Sequence, residues 1–167
     1  VYSDFQNIAC YTGQTILPFG TVRTANNQCI RTTAAAGATA TTNGTGNRLT
    51  NAPALTFSLF GRYEKPIGDL TAFVQGSFQY RDKVSFSAAG DPNLVENDYG
   101  LVNGSIGIGR SDGRWTATVF VKNLFDKFYA TNIISQPVLN APGVYSQFFT
   151  PDSRRLVGVS LGLKLGQ

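Results

Sequence analysis

The sequence predicts an all-β chain: an antiparallel transmembrane β-barrel segment of about five long strands, with long loops at one end and short turns at the other. Three observations lead there. Apolar and polar residues alternate in five separate stretches, which is the period of a strand with two unlike faces. A long segment precedes the first stretch, and the connections that follow run short, long, short, long. Strands joined by short turns are antiparallel hairpins, so all the short turns fall at one end of the sheet. Finally, the mid-strand charges Arg62, Lys122 and Lys164 keep to the polar face, as they must where a charge facing lipid costs about 2–4 kcal/mol.

In chain order, residues 1–6 read as the end of a strand that begins earlier. From Cys10 to about Asn51 the alternation is lost, and residues 36–48 form an Ala/Thr/Gly/Asn tract. Such a tract buries too little apolar surface to build a core, and it is expected to be a mobile surface loop. Asn43-Gly44-Thr45 fits the short acceptor pattern for N-glycosylation. After Pro53, Leu55, Phe57, Leu59 and Tyr63 share one face, and Thr56, Ser58, Arg62 and Glu64 the other. A turn is expected at Pro66-Ile67-Gly68-Asp69. Leu70, Ala72, Val74, Phe78 and Tyr80 then alternate with Thr71, Gln75, Ser77, Gln79 and Arg81. Residues 83–98 read as a loop. Val102, Ile106 and Ile108 follow, opposite Asn103, Ser105, Gly107 and Gly109, and Ser111-Asp112-Gly113 turns that strand into residues 114–124. There Trp115, Ala117, Val119 and Val121 face one way, and Thr116, Thr118, Phe120 and Lys122 the other. Stretches this long exceed the roughly 5–6 residues of a globular strand and suit the roughly 9–11 needed to cross a bilayer at a tilt. Residues 125–153 read as a further long loop. The last strand sets Val157, Val159, Leu161, Leu163 and Leu165 opposite Gly158, Ser160, Gly162 and Lys164.

The chain has 167 residues, no Met and no His, and a net charge of +4 that is not clustered. The charge reads as a solvated surface rather than the dense basic stripe of a nucleic-acid binder. No run approaches roughly 18 apolar residues, so no transmembrane helix is expected. A first residue other than Met implies a processed or partial chain, with any signal peptide gone. Cys10 and Cys29 lack the further ligands of a zinc site and read as a disulfide closing a loop of about 20 residues, worth about 3 kcal/mol by loop entropy. A disulfide implies an oxidising compartment. Tyr63 and Trp115, near the short turns, and Tyr80, near a long loop, occupy interface positions where an amphipathic ring meets lipid and water.

No catalytic constellation appears, and neither a cofactor nor a metal site is expected: without His there is no ready general base. Asp126 and Asp152 read as turn or capping residues. The glycine-rich run 104–109 lies in a strand, which argues for small residues on a wall rather than a phosphate loop. Tyr145, Phe148 and Phe149 are candidate ligand-contacting aromatics in the last loop, because loops on a rigid scaffold carry function.

The final third resembles the C-terminal end of TonB-dependent outer-membrane receptors. The resemblance rests on residues 115–130, WTATVFVKNLFDKFYA, and above all on Lys122-Asn123-Leu124-Phe125-Asp126-Lys127-Phe128-Tyr129. It continues in the proline–arginine entry Pro151-Asp152-Ser153-Arg154-Arg155 and the Val157-Gly158-Val159-Ser160-Leu161 strand. Gly46-Asn47-Arg48-Leu49 and Asn51-Ala52-Pro53 resemble the entry to an earlier strand of the family. The chain departs from the family in ending Leu165-Gly166-Gln167 rather than on an aromatic residue. The resemblance implies a barrel of about 22 strands around a plug domain, in the bacterial outer membrane. Such a receptor takes up a scarce nutrient (ferric siderophore, cobalamin or glycan) with energy passed through TonB. The 167 residues would then supply the last five strands, with residues 1–51 mostly external loop and residues 52–167 carrying the strands. The plug and the TonB-contacting segment would lie outside them. Implied partners are outer-membrane lipid, the other strands and plug of the same receptor, TonB and a small nutrient. The alternative function class is a detached β-fragment with a structural or self-assembling surface role.

Overall fold

The computed structural model describes residues 4–136 and 144–165. In chain order the strands are β1 (Ile8–Ala9), β2 (Ile16–Leu17), β3 (Cys29–Arg31), β4 (Ala40–Thr42), β5 (Thr56–Ile67), β6 (Leu70–Arg81), β7 (Val84–Ser85), β8 (Val95–Glu96), β9 (Tyr99–Arg110), β10 (Trp115–Lys122), β11 (Asn132–Ser135), β12 (Tyr145–Phe148) and β13 (Leu156–Leu163). They divide between two compact units. The first takes Val1–Ala54, Asp82–Asn97 and Ala130–Phe148; the second takes Leu55–Arg81, Asp98–Tyr129 and Phe149–Gln167.

The second unit is an antiparallel five-stranded sheet in the order β13-β10-β9-β6-β5. Each strand pairs with its sequence neighbour among the five. The register shows why alternation was a sound guide, because directly opposed residues share a face. Tyr63, Val74, Ile106, Val119 and Val159 form one cross-sheet row. Ala72, Ile108, Ala117 and Leu161 form the next. Leu59 joins the same face through Phe78 and Val102. Leu59, Val74, Ile106, Val119 and Leu161 all stand exposed on that face rather than packed against a second sheet, as a sandwich would require. The opposite face carries Ser58, Gln75, Asn103, Thr118 and Ser160. Among the described residues no helix is long and apolar enough to cross a membrane, which says nothing about crossing by strands.

The edges β5 and β13 do not pair with one another. Pro66 sits in β5 opposite Thr71, and a strand with a free edge tolerates a residue that cannot donate to the ladder. The β5–β6 turn therefore comes later than expected, at Gly68 and Asp69 alone, with Ile67 paired to Leu70. Gly68 takes φ +59°, the left-handed value that the first position of a II′ hairpin needs. Lys65 shares the apolar register but lies two residues from the end of β5.

Three glycines are covered by aromatic rings. A Cβ on Gly107 would meet the Phe73 ring at 2.5 Å, one on Gly158 the Phe120 ring at 2.5 Å, and one on Gly100 the Phe78 ring at 2.7 Å. Each ring lies across a neighbouring strand and fixes the pairing of β6 with β9 or of β10 with β13.

The first unit departs from the expectation of an unstructured loop. β1, β4, β3 and β2 form a small sheet, with β2 and β3 parallel and the other pairs antiparallel. The tract at 36–48 contains the interior strand β4, and Thr42 is fully buried. Polar contacts and a cross-link take the place of an apolar core here. Cys10 and Cys29 are joined by a disulfide with Cα atoms 5.8 Å apart. The Asn27 amide donates to the Asn43 carbonyl at 2.8 Å, and Asn47 Nδ2 donates to the Ala88 carbonyl at 2.9 Å. Asn43 Oδ1 accepts from the amide and hydroxyl of Thr45 at 2.9 and 2.6 Å, a local Asx-type turn. Within residues 83–98 and 125–153, β7 pairs with β8 and β11 with β12. Leu94, Ala130 and Ile133 make a small core, with Phe86 packed against it. Residues 4–6 are not a strand: the Phe5 carbonyl accepts from the Gly44 amide at 2.8 Å. The remainder of residues 1–6, and the terminal Gly166-Gln167, lie outside the described residues.

Candidate functional site

Two features of the second unit bear on function: the polar face of the sheet and the knot at the ends of β10 and β13. On the polar face, Phe60, Gln75, Ser77, Asn103, Phe120 and Lys122 are among the residues around a shallow concavity of about 170 Å³. Ser105 Oγ is buried there and has no hydrogen-bond partner among the described residues. Asn103 Nδ2 donates to Ser77 Oγ at 3.1 Å, and its Oδ1 accepts the Asn123 amide at 2.9 Å. Arg62 lies 3.9 Å over the Phe73 ring, donating through Nε to Glu64 and through Nη1 to Gln75, both at 2.6 Å. The face thus offers amides and hydroxyls, with Arg62 held by a carboxylate, an amide and a ring, and Lys122 paired with Asp152.

The knot explains the 123–129 motif. Asn123 is nearly fully buried and takes φ +50°, a conformation that Asn tolerates better than most residues. Its Oδ1 accepts the Lys127 amide at 2.8 Å, and its Nδ2 donates to the carbonyls of Lys127 at 2.9 Å and Asp152 at 3.3 Å. Asp126, also at positive φ, accepts the Arg155 amide at 2.8 Å through Oδ1. Lys122 and Asp152 pair at 3.6 Å. Phe128 stacks on Phe149 at 4.3 Å, with Arg154 lying 4.3 Å over the Phe128 ring. Tyr129 stacks on Tyr99 at 4.5 Å. Asp126 and Asp152 therefore serve one network of turn and ion-pair contacts that ties the exit of β10 to the entry of β13. The signal that could have found it is an Asn directly after a strand, the residue type suited to a left-handed step.

The sequence-selected aromatics are dispersed. Tyr145 and Phe148 lie three positions apart in β12, on opposite sides of the β11–β12 ribbon. Phe149 belongs to the other unit, in the stack with Phe128. Trp115 opens β10 opposite Leu163, at the short-turn end. Tyr80 lies at the far end of β6, stacked on Phe57 at 5.4 Å. Tyr63 stands deeper than expected, four residues inside the end of β5, because the strand runs on through Pro66. Among the described residues no three His, Cys, Asp or Glu side chains gather to hold a metal ion.

A family model described as "TonB dependent receptor-like, beta-barrel" matches residues 5–124. No curated protein and no solved structure matches the chain.

Proposed function

The chain belongs to the TonB-dependent receptor β-barrel family, and from that premise we propose that it forms part of the barrel wall of an outer-membrane receptor for active uptake of a scarce nutrient. The family is one of receptors and transporters rather than enzymes, and its barrels sit in the bacterial outer membrane. The observation that carries the reading is the two-faced sheet: a bare apolar face across five strands and a polar face opposite it. In water that apolar face would be a liability; against lipid it needs no cover.

In this reading the apolar face meets outer-membrane lipid and the polar face lines the lumen around a plug domain. The free edges of β5 and β13 pair with other strands of the same receptor, since unpaired backbone groups in lipid cost several kcal/mol each. The two short turns are periplasmic, the disulfide-bearing segment is external, and TonB engages the receptor elsewhere. The nutrient belongs to the ferric siderophore, cobalamin or glycan classes. Tyr63, Tyr80 and Trp115 serve at membrane interfaces, and Tyr145, Phe148 and Phe149 remain candidates for ligand contact, each from its own position.

The test is uptake by the full-length receptor in outer membranes. Cells carrying it are given labelled ferric siderophores, cobalamin and oligosaccharides, with and without TonB. Accumulation of one class only when TonB is present is the expected result. Accumulation that ignores TonB, or of none of the classes, would overturn the proposal.

A further inference from the structure

The first unit holds a hollow that the barrel reading leaves without a role. Ile16, Pro18, Phe19, Arg31 and Ala34 line an open space of about 340 Å³, within the roughly 300–1,000 Å³ of small-molecule sites. Ile16 is 51% and Phe19 55% exposed, although the chain around them is well tied down. The Thr21 amide and hydroxyl both donate to the Pro18 carbonyl, at 3.2 and 2.8 Å. Gln28 Oε1 accepts from the amides of Thr24 and Ala25 at 2.9 and 3.3 Å. The Cys10–Cys29 disulfide holds the start of β3, whose Cys29 and Ile30 pair with Ile16 and Leu17 of β2. The apolar side chains of the hollow are thus presented by a fixed frame.

The arginines of this unit differ in what they do. Arg23 donates to the carbonyls of Gln28 and Thr41, and Arg48 pairs with Asp82 at 2.9 Å. Both are engaged in holding the chain. Arg31 is exposed at the wall of the hollow, and its guanidinium has no hydrogen-bond or acidic partner among the described residues. A guanidinium fork accepts a carboxylate through two parallel hydrogen bonds, and an adjoining ring and aliphatic wall take a flat apolar group. One unpaired Arg supplies one charge.

We infer that this hollow binds a small anionic amphiphile, a flat apolar group bearing a single carboxylate, with Arg31 on the carboxylate and Phe19 and Ile16 on the apolar part. This names a ligand chemistry for the receptor reading, and rests on that reading only for what happens to the ligand afterwards.

The probes are 1-naphthoate and its neutral near-isostere 1-naphthamide, titrated against purified full-length receptor at neutral pH. Naphthoate is expected to bind about tenfold more tightly, the scale of one charge-assisted pair at a half-open site. Arg31→Gln erases that preference, Arg31→Lys keeps part of it, and Phe19→Ala weakens both probes. Arg31 is exposed, so these changes leave folding intact. Equal affinity for the two probes, binding of neither, or a preference that survives Arg31→Gln would overturn the inference. Uptake dependent on TonB together with a failed probe titration would keep the receptor reading and remove this one. The converse result would remove the receptor reading and keep the hollow.

Discussion

The two units solve the problem of a small core in opposite ways. The five-stranded sheet has long ladders, an apolar face left bare and a knot of polar contacts at one end. The other unit has strands of two to four residues, a core of three buried apolar residues with Phe86 against it, a disulfide and many side-chain bonds to backbone. Cooperative backbone pairing and the surrounding solvent account for order in the first. Cross-linking and side-chain hydrogen bonds to backbone account for it in the second, where chain entropy would otherwise win. The same length of chain therefore tolerates quite different insults in the two places.

The sharpest way to break this contrast is a charge in the middle of the bare face. Val119→Lys is expected to cost about 2–4 kcal/mol in a bilayer, read as a lowered denaturation midpoint of the full receptor in vesicles. Thr118→Lys, one residue away on the polar face, should cost far less. Equal losses would mean that the bare face does not meet lipid.

Removing the disulfide probes the other side of the contrast. Replacing Cys10 and Cys29 together by Ser is expected to remove about 3 kcal/mol from the first unit alone. Amide exchange should quicken across β1 to β4 while the ladder of β6 and β9 keeps its protection. Faster exchange throughout both units would show that they are not separately supported.

Asn123→Ala tests the knot. It deletes the three side-chain bonds to Lys127 and Asp152 and leaves Ala at φ +50°, for an expected loss of about 2 kcal/mol. Asn123→Gly relieves the backbone strain but not the lost bonds, so it should fall between Ala and the native residue in thermal unfolding. A neutral Ala variant would show that the motif does not tie β10 to β13.

The smallest effect concerns pH. The Lys83 amide, and then Arg48, hold the Asp82 carboxyl below its ordinary value of 3.8. A lowered folded-state pKa contributes stability that is complete above the unfolded value and is lost as pH falls through the folded one. The contribution should therefore vanish only below about pH 4. Asp82→Asn should lower stability slightly and evenly at neutral pH, and should flatten the part of the acid-unfolding profile below about pH 4, where the two proteins converge. A loss centred near pH 6 would contradict the assignment.

Much of the sheet was legible from side-chain period alone. The two faces and the hairpin at residues 111–114 follow from alternation and loop length, because a slip of one residue would reverse every side chain. The hairpin after β5 was placed two residues early. Pro66 is a turn signal by composition, and only the free edge of the sheet makes it a strand residue. Residues 36–48 were read by composition as lacking any core. The reading missed that hydrogen bonds and a disulfide can order a stretch that apolar burial cannot, and Thr42 is buried as a result.

What the sequence determined by itself is the local and periodic part: β structure, its two faces, the cysteine pair and the family likeness of residues 115–130. Those depend on neighbours along the chain and on one repeating period. What the tertiary structure decided is long-range. It chose the small mixed sheet, set the glycines beneath Phe73, Phe120 and Phe78, and brought Asn123 to Asp152. Among the described residues it left Arg31 without an acidic partner where Arg23 and Arg48 are engaged. Each of these turns on which distant residues meet, and side-chain period along a single strand carries no information about that.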